Sequence, residues 1–363
     1  MQSLVTFRVD GSHHLGTGHI VRCLVLARAF RKRSVLPVFI VKNSEPRILE
    51  MIEGQEIPVT ALPEHLTMEE DASATSRIVA KSRSTFLVTD VANMDYTADA
   101  DRYEKYCRAV LARTRAYSVS LDDQVIADLP FDMRIIPYCG AGKRLHEPPE
   151  KTKWLLGPAY FIFQEEFEEA SRVDRTLQRE ARRILVTMGG SDPYQLTAAV
   201  LDSLRKVRKE PGLEVRVVIG PGFSHRAEQE IRERAIPFRG ACHILSGAPG
   251  TLAQQMLWSD LAVTAGGLTK YEAAVTGTPN IIIAAFPREV EMCRFFSDAG
   301  ASRCLDRSRI CLEEDLAGMV ETLMGDYETR AQMSRRGKAL VDGCGVDRIL
   351  SEIPSALFPL MGR

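Results

Sequence analysis

The chain has 363 residues, 45% hydrophobic and 26% charged, enough for about two domains, each with its own core. Lys and Arg total 47 against 48 Asp and Glu, so no whole-protein field draws nucleic acid or an acidic membrane surface. No apolar stretch reaches the roughly 20 residues of a membrane span, and the eight cysteines form no CxxC pair, which reads as reduced, mostly buried thiols of a cytoplasmic protein.

The first predicted strand covers residues 5–9 and runs into Asp10. A loop with Gly16 and Gly18 follows, and an apolar helix begins at His19 or Ile20 and continues to about residue 31. Glycines between a strand and a helix let the backbone turn tightly and approach a ligand. The helix start offers N–H groups and a positive dipole end to an anion. His19 stands at that start, with Arg22 three residues later on the same face. A phosphate-rich ligand would meet a cation, an imidazole and backbone amides together. His13 and His14 read as solvated loop residues, and Arg22 has the structural alternatives of capping carbonyls or pairing with a carboxylate. His19 differs because it stands where the chain would meet a ligand, which makes it a candidate catalytic or binding residue.

Further strands are predicted at 36–41, 86–89, 116–121 and 133–136, with a helix at 103–113, and residues 141–153 read as a polar loop. A strongly charged connection runs from about 157 to 182. A second series of strands follows at 184–188, 215–219, 261–264, 280–284 and 303–305, with helices at 193–207 and 269–276. The segment from about 344 to 361 is apolar enough to dock on other structure. This βα alternation predicts an α/β chain with two Rossmann-like domains, at 1–165 and 166–363. The parallel sheets face each other across a cleft, and the last helix packs back on the first domain.

The second half carries two more glycine junctions. Thr187-Met188-Gly189-Gly190-Ser191-Asp192-Pro193 reads as a strand end, a turn, a capping Ser or Asp, and Pro in the first helical turn. Ala265-Gly266-Gly267-Leu268-Thr269-Lys270-Tyr271-Glu272 opens the next helix. There Glu272 has two readings: the far member of a capping box begun by Thr269, or an acceptor for ribose hydroxyls beside a phosphate-binding turn.

Together these residues resemble a known family. GTGHIVRCLVLARAF after RVDGS is similar to the N-terminal signature of the PseG/SpsG family, UDP-sugar hydrolases of pseudaminic acid biosynthesis and related spore-coat polysaccharide proteins. The resemblance extends to Leu121-Asp122-Asp123, to Leu156-Gly157-Pro158-Ala159-Tyr160, to Glu166-Phe167 and to the MGGSDP turn. AGGLTKYEAAVTGTP looks like the UDP-binding stretch of MurG-type glycosyltransferases. Two positions depart from the family pattern, both on the sugar side. Asp90-Val91-Ala92 stands where hydrolases usually have Asp-His-Tyr, and Arg288-Glu289 where many members have Asn-Gln.

The resemblance implies a GT-B fold and a nucleotide-sugar substrate. Water would attack the anomeric carbon with inversion, and a nucleoside diphosphate, UDP by resemblance, would leave. His19 maps onto the family's catalytic histidine, with Asp10 expected to orient it. Gly16, Gly18, Arg22, Asp90, Gly189, Gly190, Ser191, Gly266, Gly267, Leu268, Thr269 and Glu272 are expected to contact substrate, Arg22 and the helix N-termini taking the leaving diphosphate. No metal-ligand spacing stands out, so neither a metal nor another cofactor is expected. Nor is a nucleic-acid partner or an integral membrane segment. A glycosyltransferase with the same donor site, and a noncatalytic nucleotide-sugar binder, are the competing functions.

Overall fold

A computed structural model describes residues 3–11, 17–42, 45–91, 100–121, 129–141, 151–207, 212–247, 250–308 and 311–359. The chain divides into two compact units, Met1–Gln164 with Cys344–Arg363, and Glu165–Gly343.

The first unit alternates strand and helix: β1 (Ser3–Val9), α1 (Gly18–Lys32), β2 (Val35–Val41), α2 (Pro46–Glu53), β3 (Val59–Ala61), α3 (Met68–Ser82), β4 (Phe86–Asp90), α4 (Ala100–Leu111), then β5 (Tyr117–Leu121), β6 (Met133–Ile136) and β7 (Lys153–Leu156). The strands form one parallel sheet in the order β3-β2-β1-β4-β5-β6-β7. Strand order reverses between β1 and β4, the kind of point where ligands bind in such sheets. The core is aromatic near β1: Phe7 stacks on Phe39 at 4.9 Å, and Phe30 of α1 packs on Phe86 at 5.1 Å. A helix at Gly345–Glu352 completes this core with Val346, Ile349 and Leu350, and Ile353 follows it. Gly345 is required there, because a Cβ would lie 2.1 Å from the Phe161 carbonyl oxygen.

The second unit contains α5 (Glu165–Ser171), β8 (Arg183–Thr187), α6 (Leu196–Leu204), β9 (Glu214–Ile219), α7 (His225–Ala235), β10 (Cys242–Ser246), α8 (Leu252–Trp258), β11 (Leu261–Ala265), α9 (Thr269–Val275), β12 (Asn280–Ala284), α10 (Pro287–Asp298), β13 (Arg303–Asp306), α11 (Leu312–Gly325) and α12 (Tyr327–Leu340). Its sheet is also parallel, in the order β10-β9-β8-β11-β12-β13, and reverses between β8 and β11.

Three strands escape the sequence reading: β3, β7 and β10. All three lie at sheet edges, where one neighbour is missing and the apolar run that marks a doubly covered strand is not needed. Residue 153, expected in a loop, belongs to β7, while 142–150 lie outside the described residues. Helix α6 begins at Leu196 rather than Pro193, because Gln195 takes a left-handed conformation, φ 53°. Among the described residues, none of the eight cysteines is in a disulfide. Four are buried, but Cys311 and Cys344 are exposed, so the expected burial holds for only part of the set. Among the described residues, no helix is long and apolar enough to cross a membrane.

Candidate functional site

In the first unit, chemistry gathers where β1 and β4 end side by side, Val9 in register with Asp90. Helix α1 begins at Gly18, one residue earlier than expected, and lays His19 and Arg22 over the end of β4. The Asp90 side chain is completely buried. His19 Nδ1 lies 2.7 Å from Asp90 Oδ1. Arg22 donates to the same carboxylate twice, from Nε to Oδ2 at 2.6 Å and from Nη2 to Oδ1 at 2.7 Å, and from Nη1 to the Tyr138 hydroxyl at 3.0 Å.

Arg22 Nη2 also lies 2.6 Å from Nδ1, so Nδ1 faces a carboxylate acceptor and a guanidinium donor at once. With the proton on Nδ1, donated to Asp90, the imidazole lone pair falls on Nε2. Burial tends to raise the Asp90 carboxyl. The charge of Arg22, then that of His19 and the hydrogen bonds from both, outweigh it and hold the carboxyl down at about 2. A fixed anion behind a histidine sets its tautomer and stabilises the imidazolium once a proton is taken.

This geometry places three of the expected residues in specific contacts. Asp10 does not orient His19. It binds Arg8 through two bonds, at 2.6 and 3.1 Å, and accepts the Lys42 backbone N–H at 2.6 Å. Arg8 is itself buried and bonded to Asp71 at 2.7 Å, so Asp10 belongs to a structural ion network. Asp90, expected at the substrate, lies behind His19. Arg22, expected on the diphosphate, is engaged by Asp90 and Tyr138. Gly18 is exposed at the first position of α1, while His13, His14 and Gly16 lie outside the described residues.

In the second unit, the two expected glycine turns meet. Gly189 has φ +82°, and a Cβ there would sit 3.5 Å from Thr269 Oγ1. A third turn, Gly220-Pro221-Gly222 after β9, locks onto the first. Gly222 N–H donates to the Gly190 carbonyl at 2.8 Å, and a Cβ on Gly220 would lie 2.3 Å from the Gly189 carbonyl oxygen. Sequence reasoning missed this turn, although a Gly-Pro-Gly directly after a strand was its signal.

The N-terminus of α6 is already occupied. Asp192 accepts from the Leu196 N–H at 2.8 Å and the Thr197 N–H at 2.7 Å. An external anion at this junction would face the exposed Gly190 and Ser191 rather than the helix end.

The expected capping box at Thr269 does not form. Leu268 precedes the helix without a side-chain cap, and the buried Thr269 is the first helical residue. Its hydroxyl instead hydrogen-bonds the Glu272 carboxyl, which is pushed up to about 7 by burial and then by the charge of Glu166. Glu166 accepts bonds from the Thr251 side chain and the Ala253 N–H at the start of α8. Lys270 is buried and donates to the Gly266 carbonyl and, at 2.7 Å, to the Gly267 carbonyl. Glu289 lies against Gly266 and accepts the Ala285 N–H at 2.9 Å. Leu268, Tyr194 and Phe286 are exposed beside these turns. Among the described residues, no three His, Cys, Asp or Glu side chains gather as a metal site would require.

The chain is 27% identical over 341 residues to the spore coat polysaccharide biosynthesis protein SpsG of Bacillus subtilis, covering 94% of both. No protein-family model matches the chain. Its fold resembles that of MurG from Acinetobacter baumannii, with a TM-score of 0.65 at 12% identity, covering 97% of this chain and 99% of that one. It also resembles Anabaena HepE in complex with UDP and glucose, with a TM-score of 0.60 at 13% identity, covering 98% and 100%. The two-sheet α/β architecture is thus of the GT-B kind.

Proposed function

We propose that the chain is a nucleotide-sugar hydrolase of surface-polysaccharide biosynthesis that releases UDP from a modified sugar. The observation that carries this reading is the His19–Asp90 pair. With Nδ1–H held by a buried carboxylate, Nε2 takes a proton from water as the water oxygen attacks the anomeric carbon. The bond to the diphosphate breaks on the opposite face, which inverts the centre. The second unit carries the nucleotide: Glu272 accepts from the ribose hydroxyls, and the turns at 189–191 and 266–269 present amides to the diphosphate. The relation to SpsG supports the biosynthetic setting, and the likeness to HepE, solved with UDP and glucose, supports the ligand class.

A glycosyltransferase is the second reading, favoured by the likeness to MurG. The same imidazole would then deprotonate an acceptor hydroxyl. The deciding experiment incubates the purified chain with UDP-sugars and no acceptor and follows UDP by chromatography, with and without EDTA. UDP release that survives EDTA is the expected result. Release only on adding a carbohydrate acceptor would establish the transferase, and binding with no turnover under either condition would leave a noncatalytic binder.

A further inference from the structure

The Lys270 ammonium is buried under the turn that leads into α9 and donates to two successive carbonyls, those of Gly266 and Gly267. A trans peptide is planar, with its C=O and N–H on opposite sides. Drawing the Gly266 carbonyl to Lys270 therefore turns the Gly267 N–H away from it, and drawing the Gly267 carbonyl turns the Leu268 N–H away likewise. Gly267 and Leu268 are both exposed, while the ammonium is buried. Two successive outward N–H groups form an anion-binding concavity. Glu289 braces the turn from another side, its carboxyl group against the Gly266 Cα and one oxygen held by the Ala285 N–H.

We infer that Lys270 is a positioning residue for diphosphate recognition, acting not by touching phosphate but by orienting the Gly267 and Leu268 amides toward it. This role rests on the proposed nucleotide site of the second unit. It also explains a buried cation beside a turn expected to meet an anion: its hydrogen bonds go to carbonyls that would otherwise repel phosphate oxygens.

The test compares UDP and uridine binding to wild type, Lys270→Met and Lys270→Arg, by calorimetry for UDP and ligand-observed NMR for uridine. Lys270→Met should weaken UDP by more than about tenfold, the size of a lost charge-assisted interaction, while uridine affinity stays unchanged. Lys270→Arg, which keeps two donors for the carbonyls, should recover most of the loss. Unchanged UDP affinity in Lys270→Met, or equal weakening of UDP and uridine, would overturn the inference. Should Lys270→Met fail to fold, hydrogen exchange on wild type decides: UDP must slow the Gly267 and Leu268 amides, and exchange unaffected by bound UDP overturns the role. If wild type binds uridine but not UDP, or neither, the nucleotide reading itself falls and this inference with it. UDP binding without the amide or Lys270 effects removes only the inference.

Discussion

Asp90 holds His19 from below at 2.7 Å, although 71 residues separate them in the chain. Neither α1 nor β4 carries the His19–Asp90 pair alone. It arises from the pairing of β1 with β4, which places the end of one strand under the helix that follows the other. Replacing Asp90 by Asn puts an amide at Nδ1 and removes the fixed anion that selects the tautomer and stabilises the imidazolium. Turnover should fall by about 10²–10⁴ with KM little changed. His19→Asn should give a similar loss, and the double variant should be no worse than the weaker single one. Steady-state kinetics of the three proteins checks this; additive losses would mean that the residues act separately.

Asp90 also sets an acid limit. Its folded pKa lies below the unfolded value of about 3.9, so the unfolded chain binds the proton more tightly. The stabilisation is complete above about pH 4 and is lost as pH falls toward about 2, amounting to about 2–3 kcal/mol. Urea unfolding of wild type and Asp90→Asn between pH 2 and pH 6 should show a gap in favour of wild type that narrows through this window. A constant gap would contradict the assignment.

Glu272 works in the opposite sense. Its carboxyl is raised to about 7, so the folded protein holds the proton more tightly and ionisation costs stability from about pH 4.5 upward, the full cost arriving above pH 7. Glu272→Gln should therefore stabilise the protein at pH 8 by about 1–3 kcal/mol, discounted for partial solvent access. The same change should weaken UDP by about 1.5–3 kcal/mol, through loss of charged bonds to the ribose. Opposite signs in melting temperature and affinity are the signature. A capping role would lower the melting temperature and spare affinity.

Among the glycines, position decides the outcome. Gly220→Ala drives a Cβ into the Gly189 carbonyl and should destabilise by at least about 1–3 kcal/mol. Gly267→Ala meets nothing within 4 Å and should leave stability within about 0.5 kcal/mol of wild type. Chemical denaturation of both variants measures the contrast, and equal effects would show that the turns do not interlock.

How much of this was legible in the sequence depended on how local each feature is. The strands Met133–Ile136 and Asn280–Ala284 match the reading residue for residue; in the second, Ile281-Ile282-Ile283 is the continuous apolar run of a strand covered on both faces. The edge strand Val59–Ala61 needs no such run. His19 is visible because a glycine loop before a helix is a local pattern. Its partner is not: proximity along the chain points to Asp10, while the sheet delivers Asp90. Glu272 stands out as an acidic residue after a Gly-Gly turn, but Lys270 looks like a solvated helix cation until its two carbonyl partners are located. The Gly220 turn acquires its meaning only from Gly189 and Gly190, whose backbone it touches.

The last helix has a consequence for how the protein is made. Val346, Ile349, Leu350 and Ile353 belong to the core built around β1, while every residue of the second unit lies between that core's two sequence segments. During synthesis, the whole of Glu165–Gly343 leaves the ribosome before the first unit can be finished. The unit begun first is therefore the last to close, and until then the apolar ground beneath Phe30 and Phe86 is open to chaperones or to aggregation.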